Sequence, residues 1–243
     1  SQAVHAGDVI ETHLVETEPS DGILPRPVPF SVVYEDDDIL VVDKPADTPI
    51  HPSIGNHENT LANGIAWYFE QKGEPFVYRC INRLDRDTTG LIVLAKHALS
   101  AAVLSQAMRS REIHRTYQAF ALGETAASGT IDAPIARLDG SLIQRTVDFA
   151  SGERSVTHYR TLAHCSVFSH LELNLETGRT HQIRVHMAYI GHPLLGDTLY
   201  NKTPGTFPRQ ALHSASLSFV HPITGEPLNF HAPLPEDMQN LLT

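Results

Sequence analysis

Hydrophobic positions along this chain come in short runs rather than in one long stretch. Ile39, Leu40, Val41 and Val42 form a β-branched run stopped by Pro45, which predicts a strand and then a turn. Residues 90–95 are apolar without a break, the pattern of a strand buried on both faces. Residues 115–122 alternate, with Tyr117, Ala119 and Ala121 on one side and Gln118 and Phe120 on the other, and end at Gly123. Residues 171–175 alternate in the same way. A period near 3.6 appears three times. Leu61, Ile65 and Phe69 share one face of a helix over 59–69, and Ala101, Leu104 and Met108 one over 98–109. Ile183, Met187 and Ile190 mark a third helix, with Thr180 as its N-cap and Gly191 just past its end. Residues 217–220 and 228–230 flank Pro222-Ile223-Thr224-Gly225-Glu226-Pro227 as a hairpin. Short strands with interspersed helices predict an α+β fold around a mixed, mostly antiparallel sheet.

Composition narrows the picture. At 243 residues, 41% hydrophobic and 19% charged, the chain can bury a full core without disulfides or metals. No apolar run is long enough to span a membrane, and the first residues lack the basic-then-apolar order of a secretory signal. Cys80 and Cys165 are too few for a disulfide framework or a four-cysteine zinc site, so a reducing, cytoplasmic location is expected. Residues 1–29 are acidic and end in Leu24-Pro25-Arg26-Pro27-Val28-Pro29, the composition of an extended linker, and the body is expected over 30–243.

The formal net charge is −10, but it is unevenly spread. Residues 1–50 hold two basic and eleven acidic side chains, so the remainder is nearly neutral. Residues 79–115 hold seven basic side chains against three acidic ones. The overall balance argues against a simple phosphate sponge, yet leaves room for a polyanion in one basic cleft. Arginine supplies 14 of the 18 basic residues, which suits planar recognition of phosphate or carboxylate.

Few chemistries fit the residues present. His181 and His186 stand five apart, about 140° around a helix, and are poorly placed to share a metal. Zincin spacing, Cys-x-x-Cys, Gly-x-Ser-x-Gly and a Gly-rich phosphate loop are all missing from the sequence. No metal is expected. Asp85 and Asp87 lie on one element, whereas glycosidase carboxylates normally come from two. Two polar clusters remain. Asn82-Arg83-Leu84-Asp85-Arg86-Asp87-Thr88-Thr89-Gly90 sets two arginines around a carboxylate just before a buried strand, a rigid mount for a reactive group. It also reads as a surface turn with weak ion pairs. Gly178-Arg179-Thr180-His181-Gln182-Ile183-Arg184 stands at a helix start, where anions are favoured. The residues alone do not decide whether the two clusters form one site.

These segments resemble the signatures of the RluA-type pseudouridine synthases. Arg83-Leu84-Asp85-Arg86-Asp87-Thr88-Thr89-Gly90-Leu91 is similar to the HRLDxxTSG catalytic motif of that family. Gly178 through His186, followed by Gly191-His192-Pro193-Leu194-Leu195-Gly196-Asp197, is similar to its second signature. Tyr34-Glu35-Asp36, Val41-Val42-Asp43-Lys44-Pro45, Arg115-Thr116-Tyr117, Ala211-Leu212-His213 and Phe219-Val220-His221-Pro222 match further, in order, over residues 30–243. The chain departs at Asn82, where the family usually has His, at Thr89 for Ser, Arg115 for Lys and Asp47 for Gly. Residues 4–17 resemble the end of an S4-type RNA-binding module, so more sequence is expected upstream of Ser1.

The resemblance implies a pseudouridine synthase fold with a central cleft. It implies an isomerase that detaches uracil from C1′ of its ribose, rotates it and rejoins it through C5. No redox change or hydrolysis is involved, so no cofactor is expected. Asp85 is implied as the catalytic carboxylate and Arg184 as its cationic partner. Tyr117 is implied to lie against the uracil and Ile183 to form the apolar side of its pocket. Arg83 is implied to fill the space left when the nucleotide flips out of the RNA, because a stacked uridine hides its reacting atoms. Arg79, Arg86, Arg109, Arg111 and Arg179 are candidate phosphate contacts. Large-subunit ribosomal RNA is the implied partner, as for the RluC- and RluD-like branch, with tRNA as a second candidate; a monomer is expected. A non-catalytic RNA-binding or ribosome-assembly factor on the same fold is the rival reading, and a nucleoside glycosidase a weaker one. The first has no use for a carboxylate facing phosphates.

Overall fold

The computed structural model describes residues 3–9, 20–203 and 205–242. Residues 10–17 of the S4-like stretch lie outside the described residues. In chain order the elements are β1 (Ser31–Glu35), β2 (Ile39–Lys44), α1 (Leu61–Lys72), β3 (Thr89–Ala95), α2 (Ala98–Arg109), β4 (His114–Leu122), β5 (Ser128–Asp132) and β6 (Ile135–Arg137). They continue with β7 (Arg145–Val147), β8 (Val156–His164), β9 (Phe168–Leu175), α3 (Gln182–Tyr189), β10 (Leu212–Val220), β11 (Pro227–His231) and α4 (Glu236–Gln239).

Nine strands form one sheet in the order β1-β2-β3-β10-β4-β9-β8-β5, with β11 on β10. β6 and β7 pair separately. The expected α+β class and mostly antiparallel sheet are what the fold shows; among the described pairs only β3 and β10 run parallel. The unbroken apolar run of β3 has its reason here. Ile92 and Leu94 join Leu40 and Val42 against α1, through Leu61, Ile65 and Phe69. Leu91 and Val93 point the other way, joining Ile39, Val41 and Leu104 of α2. Each such fully buried side chain contributes about 1.5–3 kcal/mol. The alternation of β4 is as expected, with Tyr117, Ala119 and Ala121 in the first cluster and Phe120 in a third.

β10 meets β3 only at His213 and Ser214 before turning to β11. The approach is close: a Cβ on Gly90 would stand 2.3 Å from the Ser214 carbonyl oxygen, and Gly90 has φ 111°. Only glycine lets the chain enter β3 there.

The third helix corrects one expectation. α3 starts at Gln182, and its cap is His181, left-handed with φ 59° and no side-chain cap bond, not Thr180. The turn is organised instead by Gln182, whose Oε1 accepts from the Arg179 amide at 3.0 Å and the Thr177 hydroxyl at 2.8 Å. Its Nε2 donates to the Val156 carbonyl at 2.9 Å, which ties the turn to β8. α1 begins two residues later than expected and runs three further. Residues 20–29 run beside it: the Asn63 amide donates to the Leu24 carbonyl at 2.8 Å, and Val28 is buried. Among the described residues no helix is long and apolar enough to cross a membrane.

Candidate active site

The two polar clusters meet in a cleft of about 470 Å³ at the middle of the sheet. Asp85 stands on the loop entering β3, and Arg184 lies in the first turn of α3. Arg184 Nη1 donates to Asp85 Oδ2 at 3.0 Å, across 99 positions of chain. Nε and Nη2 of the same guanidinium grip Asp197 as a fork, at 2.7 and 2.8 Å. Asp197 is fully buried and Arg184 nearly so, whereas the Asp85 side chain keeps 23% of its surface, on the cleft. Burial opposes the charge on Arg184, but the Asp197 and Asp85 carboxylates outweigh it and hold the guanidinium above its ordinary pKa. The fork is bidentate, so the third nitrogen is aimed rather than free to swing.

The Asp85 loop is braced from behind. The Thr88 amide closes a turn on the Asp85 carbonyl at 3.1 Å. Lys44, fully buried, donates to the Arg86 carbonyl at 2.8 Å and to that of Pro45 at 2.7 Å. Burial pushes its pKa down to about 7, against the pull of Asp87 and Asp85. Arg209 Nη1 donates to the Asp87 carbonyl at 3.1 Å. Gln210 Nε2 reaches the Thr88 hydroxyl at 3.3 Å. Asn82, the departure from the family His, is buried and lies along β3. Its Nδ2 donates to the Leu91 carbonyl at 3.1 Å, and its Oδ1 accepts from the Val93 amide at 2.9 Å. These two bonds tie the start of the loop to β3.

The expected site residues separate into two groups. Asp85, Arg184, Tyr117, Ile183 and Arg83 all line the cleft. Tyr117 and Ile183 are buried in its wall, each 4% exposed. Arg83 is exposed at its edge, and no hydrogen bond or ion pair with Asp87 or any other described residue holds it. Arg109, Arg111 and Arg179 also line the cleft, whereas Arg79 and Arg86 do not. Arg111 and Arg179 are held by Glu176 and Glu153, and Arg86 is paired with Asp47. Arg115 also lines the cleft, and its Nε is buried without a hydrogen-bond partner. In the sequence Arg115 stands out as part of the Arg115-Thr116-Tyr117 match and as a change from the family Lys, without an assigned role. Asp197, Tyr200, Lys44 and Arg209 have no role assigned from the sequence. Asp197 closes the second signature and Lys44 stands in the Val41–Pro45 match, whereas Tyr200 and Arg209 lie in no matched segment.

One group outside the cleft has the composition of a metal site: Asp36, Asp38 and His221. Its atoms are already committed. Asp36 accepts from the Tyr34 hydroxyl at 2.7 Å and from the Ile39 and Asp38 amides at 2.8 Å. His221 Nδ1 accepts from the Ile223 and Thr224 amides, so the ring proton is on Nε2, facing Asp36 at 3.0 Å. The three form a hydrogen-bonded knot at a strand end, not an open ligand set.

Comparison with known proteins bears on the chain as a whole. Residues 38–189 match the family described as RNA pseudouridylate synthase. An uncharacterized RNA pseudouridine synthase of Bacillus subtilis, YjbO, is 43% identical over 97% of this chain and 83% of its own. The ribosomal large subunit pseudouridine synthase D of Vibrio cholerae is 43% identical over 97% of this chain and 76% of its own. That of Escherichia coli K12 is 41% identical over 90% and 71%. Among solved structures, human RNA pseudouridylate synthase domain containing 1 superposes with a TM-score of 0.71 at 26% identity, covering 89% of this chain and 86% of its own. These likenesses support an enzyme and give nothing to the non-catalytic alternative. This chain belongs to the RNA pseudouridylate synthase family, isomerases that convert uridine in RNA to pseudouridine.

Proposed function

We propose that this enzyme isomerises uridines of large-subunit ribosomal RNA, with Asp85 as its catalytic carboxylate. The ribosomal target rests on the names of relatives that share over 40% of their residues with this chain across most of its length. It also favours a cytoplasmic place of action. The observation that carries the catalytic reading is the Arg184 fork, which presents one carboxylate to a cleft and buries another behind it.

A uridine flipped into the cleft sets C1′ and its bond to N1 beside Asp85. Tyr117 and Ile183 enclose the ring. Arg83, unpaired at the mouth, takes the vacated place in the RNA stack, where a planar cation substitutes for a base. Arg109, Arg111, Arg115 and Arg179 meet phosphates along the cleft, with Arg79 and Arg86 as outlying contacts. The reaction exchanges the C5 hydrogen with solvent and leaves the RNA chain intact.

Release of tritium from ribosomal RNA carrying C5-tritiated uridine tests this. Wild type releases tritium, and Asp85→Asn binds the RNA without releasing it. Equal release by both proteins overturns the role of Asp85. Release from tRNA but not from ribosomal RNA overturns the target.

A further inference from the structure

His181 lies in the same cleft and takes no part in the scheme so far. Its side chain is 11% exposed, and its Nε2 stands 3.9 Å from Asp85 Oδ2, too far for a hydrogen bond. Its Nδ1 is 2.7 Å from the Tyr200 hydroxyl. That hydroxyl already accepts from the Arg145 amide at 2.9 Å. Among the described residues, His181 Nδ1 is then the one acceptor in place for the Tyr200 proton. The chain of donors therefore runs from the Arg145 amide to Tyr200 to His181 Nδ1, and the imidazole proton sits on Nε2. The other tautomer would set a bare Nε2 against the Asp85 carboxylate. Both arguments give an N–H on the side of the ring that faces Asp85 in the cleft, with no acceptor among the described residues within hydrogen-bond distance.

The backbone agrees that this placement is specific. Among the described residues His181 is one of three non-glycine residues with positive φ, and it heads α3 three positions before Arg184. Strained backbone at a helix start is tolerated where it aims a side chain. Tyr200 fixes both side chains at once: the Arg184 guanidinium lies 5.1 Å from its ring centre, and the His181 ring packs edge-on at 5.6 Å. Tyr200 is in turn set by Asp197, whose Oδ1 accepts from the Leu199 and Tyr200 amides at 3.0 and 3.2 Å.

We propose that His181 is a neutral hydrogen-bond donor to the substrate, its Nε2–H directed by Tyr200 at the uracil C2 carbonyl. This rests on the reading of the cleft as the uridine site. C2 adjoins N1, the atom joined to C1′, so a donor beside Asp85 meets that carbonyl when C1′ faces the carboxylate. When the N1–C1′ bond breaks, its electron pair passes into the ring and onto the carbonyl oxygens. A fixed N–H there stabilises charge that grows only as the reaction proceeds. His181 keeps its proton throughout. N1 gains a proton from solvent, and the C5 proton is lost to solvent after C5 joins C1′. Burial lowers the His181 pKa despite the pull of Asp85, in keeping with a neutral ring.

Nitrogen NMR of the full chain labelled at histidine, with the His181 signals identified by their loss in His181→Gln, is expected to show the neutral Nε2–H tautomer at neutral pH. A charged ring or the Nδ1–H tautomer overturns the proposal without reference to any variant's activity. In single turnovers on C5-tritiated ribosomal RNA, His181→Leu is expected to lower the rate by about a hundred-fold, with RNA affinity within about twofold. His181→Gln, which restores an N–H donor, should recover most of the rate, and Tyr200→Phe should fall between. A wild-type rate for His181→Leu, beside an inactive Asp85→Asn, overturns the role of His181 alone. An active Asp85→Asn overturns the reading of the cleft, and this proposal with it.

Discussion

Two buried arginines grip the Asp85 loop from opposite sides, and they are built alike. Arg184 spends Nε and Nη2 on Asp197, at 2.7 and 2.8 Å. Arg209 spends the same two nitrogens on Asp237, at 2.7 and 2.9 Å. The difference lies in the nitrogen left over. Arg184 Nη1 goes to a side chain, Asp85, that keeps one face on the cleft. Arg209 Nη1 goes to three backbone carbonyls, of Asp87, Gln210 and Leu212, at 3.1, 3.1 and 3.2 Å. One fork ends on a carboxylate exposed to the cleft; the other ends on backbone carbonyls. Burial and bidentate geometry therefore do not distinguish a reactive cation from a structural one. The identity of the last acceptor does.

The sharpest way to break this contrast is to cut both forks. Arg184→Gln leaves Asp197 buried without a counter-charge, held only by the Leu199 and Tyr200 amides, at a cost of about 3–5 kcal/mol. Turnover per folded molecule is expected to fall by about 10²–10³-fold, because the group facing Asp85 is gone. Arg209→Gln should cost about 2–4 kcal/mol, since Asp237 keeps part of its surface in water. Its turnover should fall only about tenfold, through a looser loop. Urea unfolding gives the first quantity and single-turnover tritium release the second. Equal losses of turnover would mean that Arg209 is as much part of the chemistry as Arg184.

Acid separates the two sides in another way. His213, on β10 beside Arg209, is 1% exposed, with Nδ1 at 2.8 Å from the Thr89 hydroxyl. Burial pushes its pKa down from 6.5 to about 4, and Arg209 adds to that, against the Ala232 carbonyl and Asp237. The folded ring thus binds fewer protons than the unfolded one between those values. Stability rises with pH across that window and is lost as pH falls toward 4, by about 3 kcal/mol in total. His213→Asn should remove this part of the slope, read as the difference in unfolding free energy between about pH 4 and pH 7. An unchanged slope would assign the acid sensitivity to other groups.

The braced side was the less legible one in the sequence, for a physical reason. Asp85 and Arg184 sit in long motifs, each next to a recognisable strand or helix start; the residues alone left their meeting open, and the family resemblance implied it. Much of the brace is made of contacts between distant segments, Lys44 with Arg86 and Arg209 with Asp87, while Asn82 reaches Leu91 and Val93 from the same loop. No local period records such pairings. Asn82 was legible only as a departure from the family His; its two backbone bonds were not. β3 was plain, since burial on both faces leaves an unbroken apolar run. β5 to β8 were not, since they are short or mix exposed polar and apolar positions, as in Val156–His164. Thr180 looked like a cap by residue type. Gln182 had already taken the turn's donors, which left the cap position to a left-handed His181.

The smallest expected effect tests the brace alone. Asp237 precedes Met238 in the short helix α4, and 32% of its side-chain surface is in solvent. Asp237→Asn keeps one oxygen for the Arg209 fork and turns the other into a donor that cannot face a guanidinium. Arg209 loses one charge-assisted bond but keeps its three carbonyls, so the Asp87 carbonyl stays where it is. Water screens what remains of the charge difference. A loss of about 1 kcal/mol in unfolding free energy is expected. Turnover should remain within about twofold of wild type, because a shift in the fork that does not reach the loop cannot move Asp85. A tenfold loss of turnover at that small cost in stability would show that the Arg209 fork tunes the position of Asp85 from behind, and the contrast between a reactive and a structural arginine would have to be redrawn as a graded one.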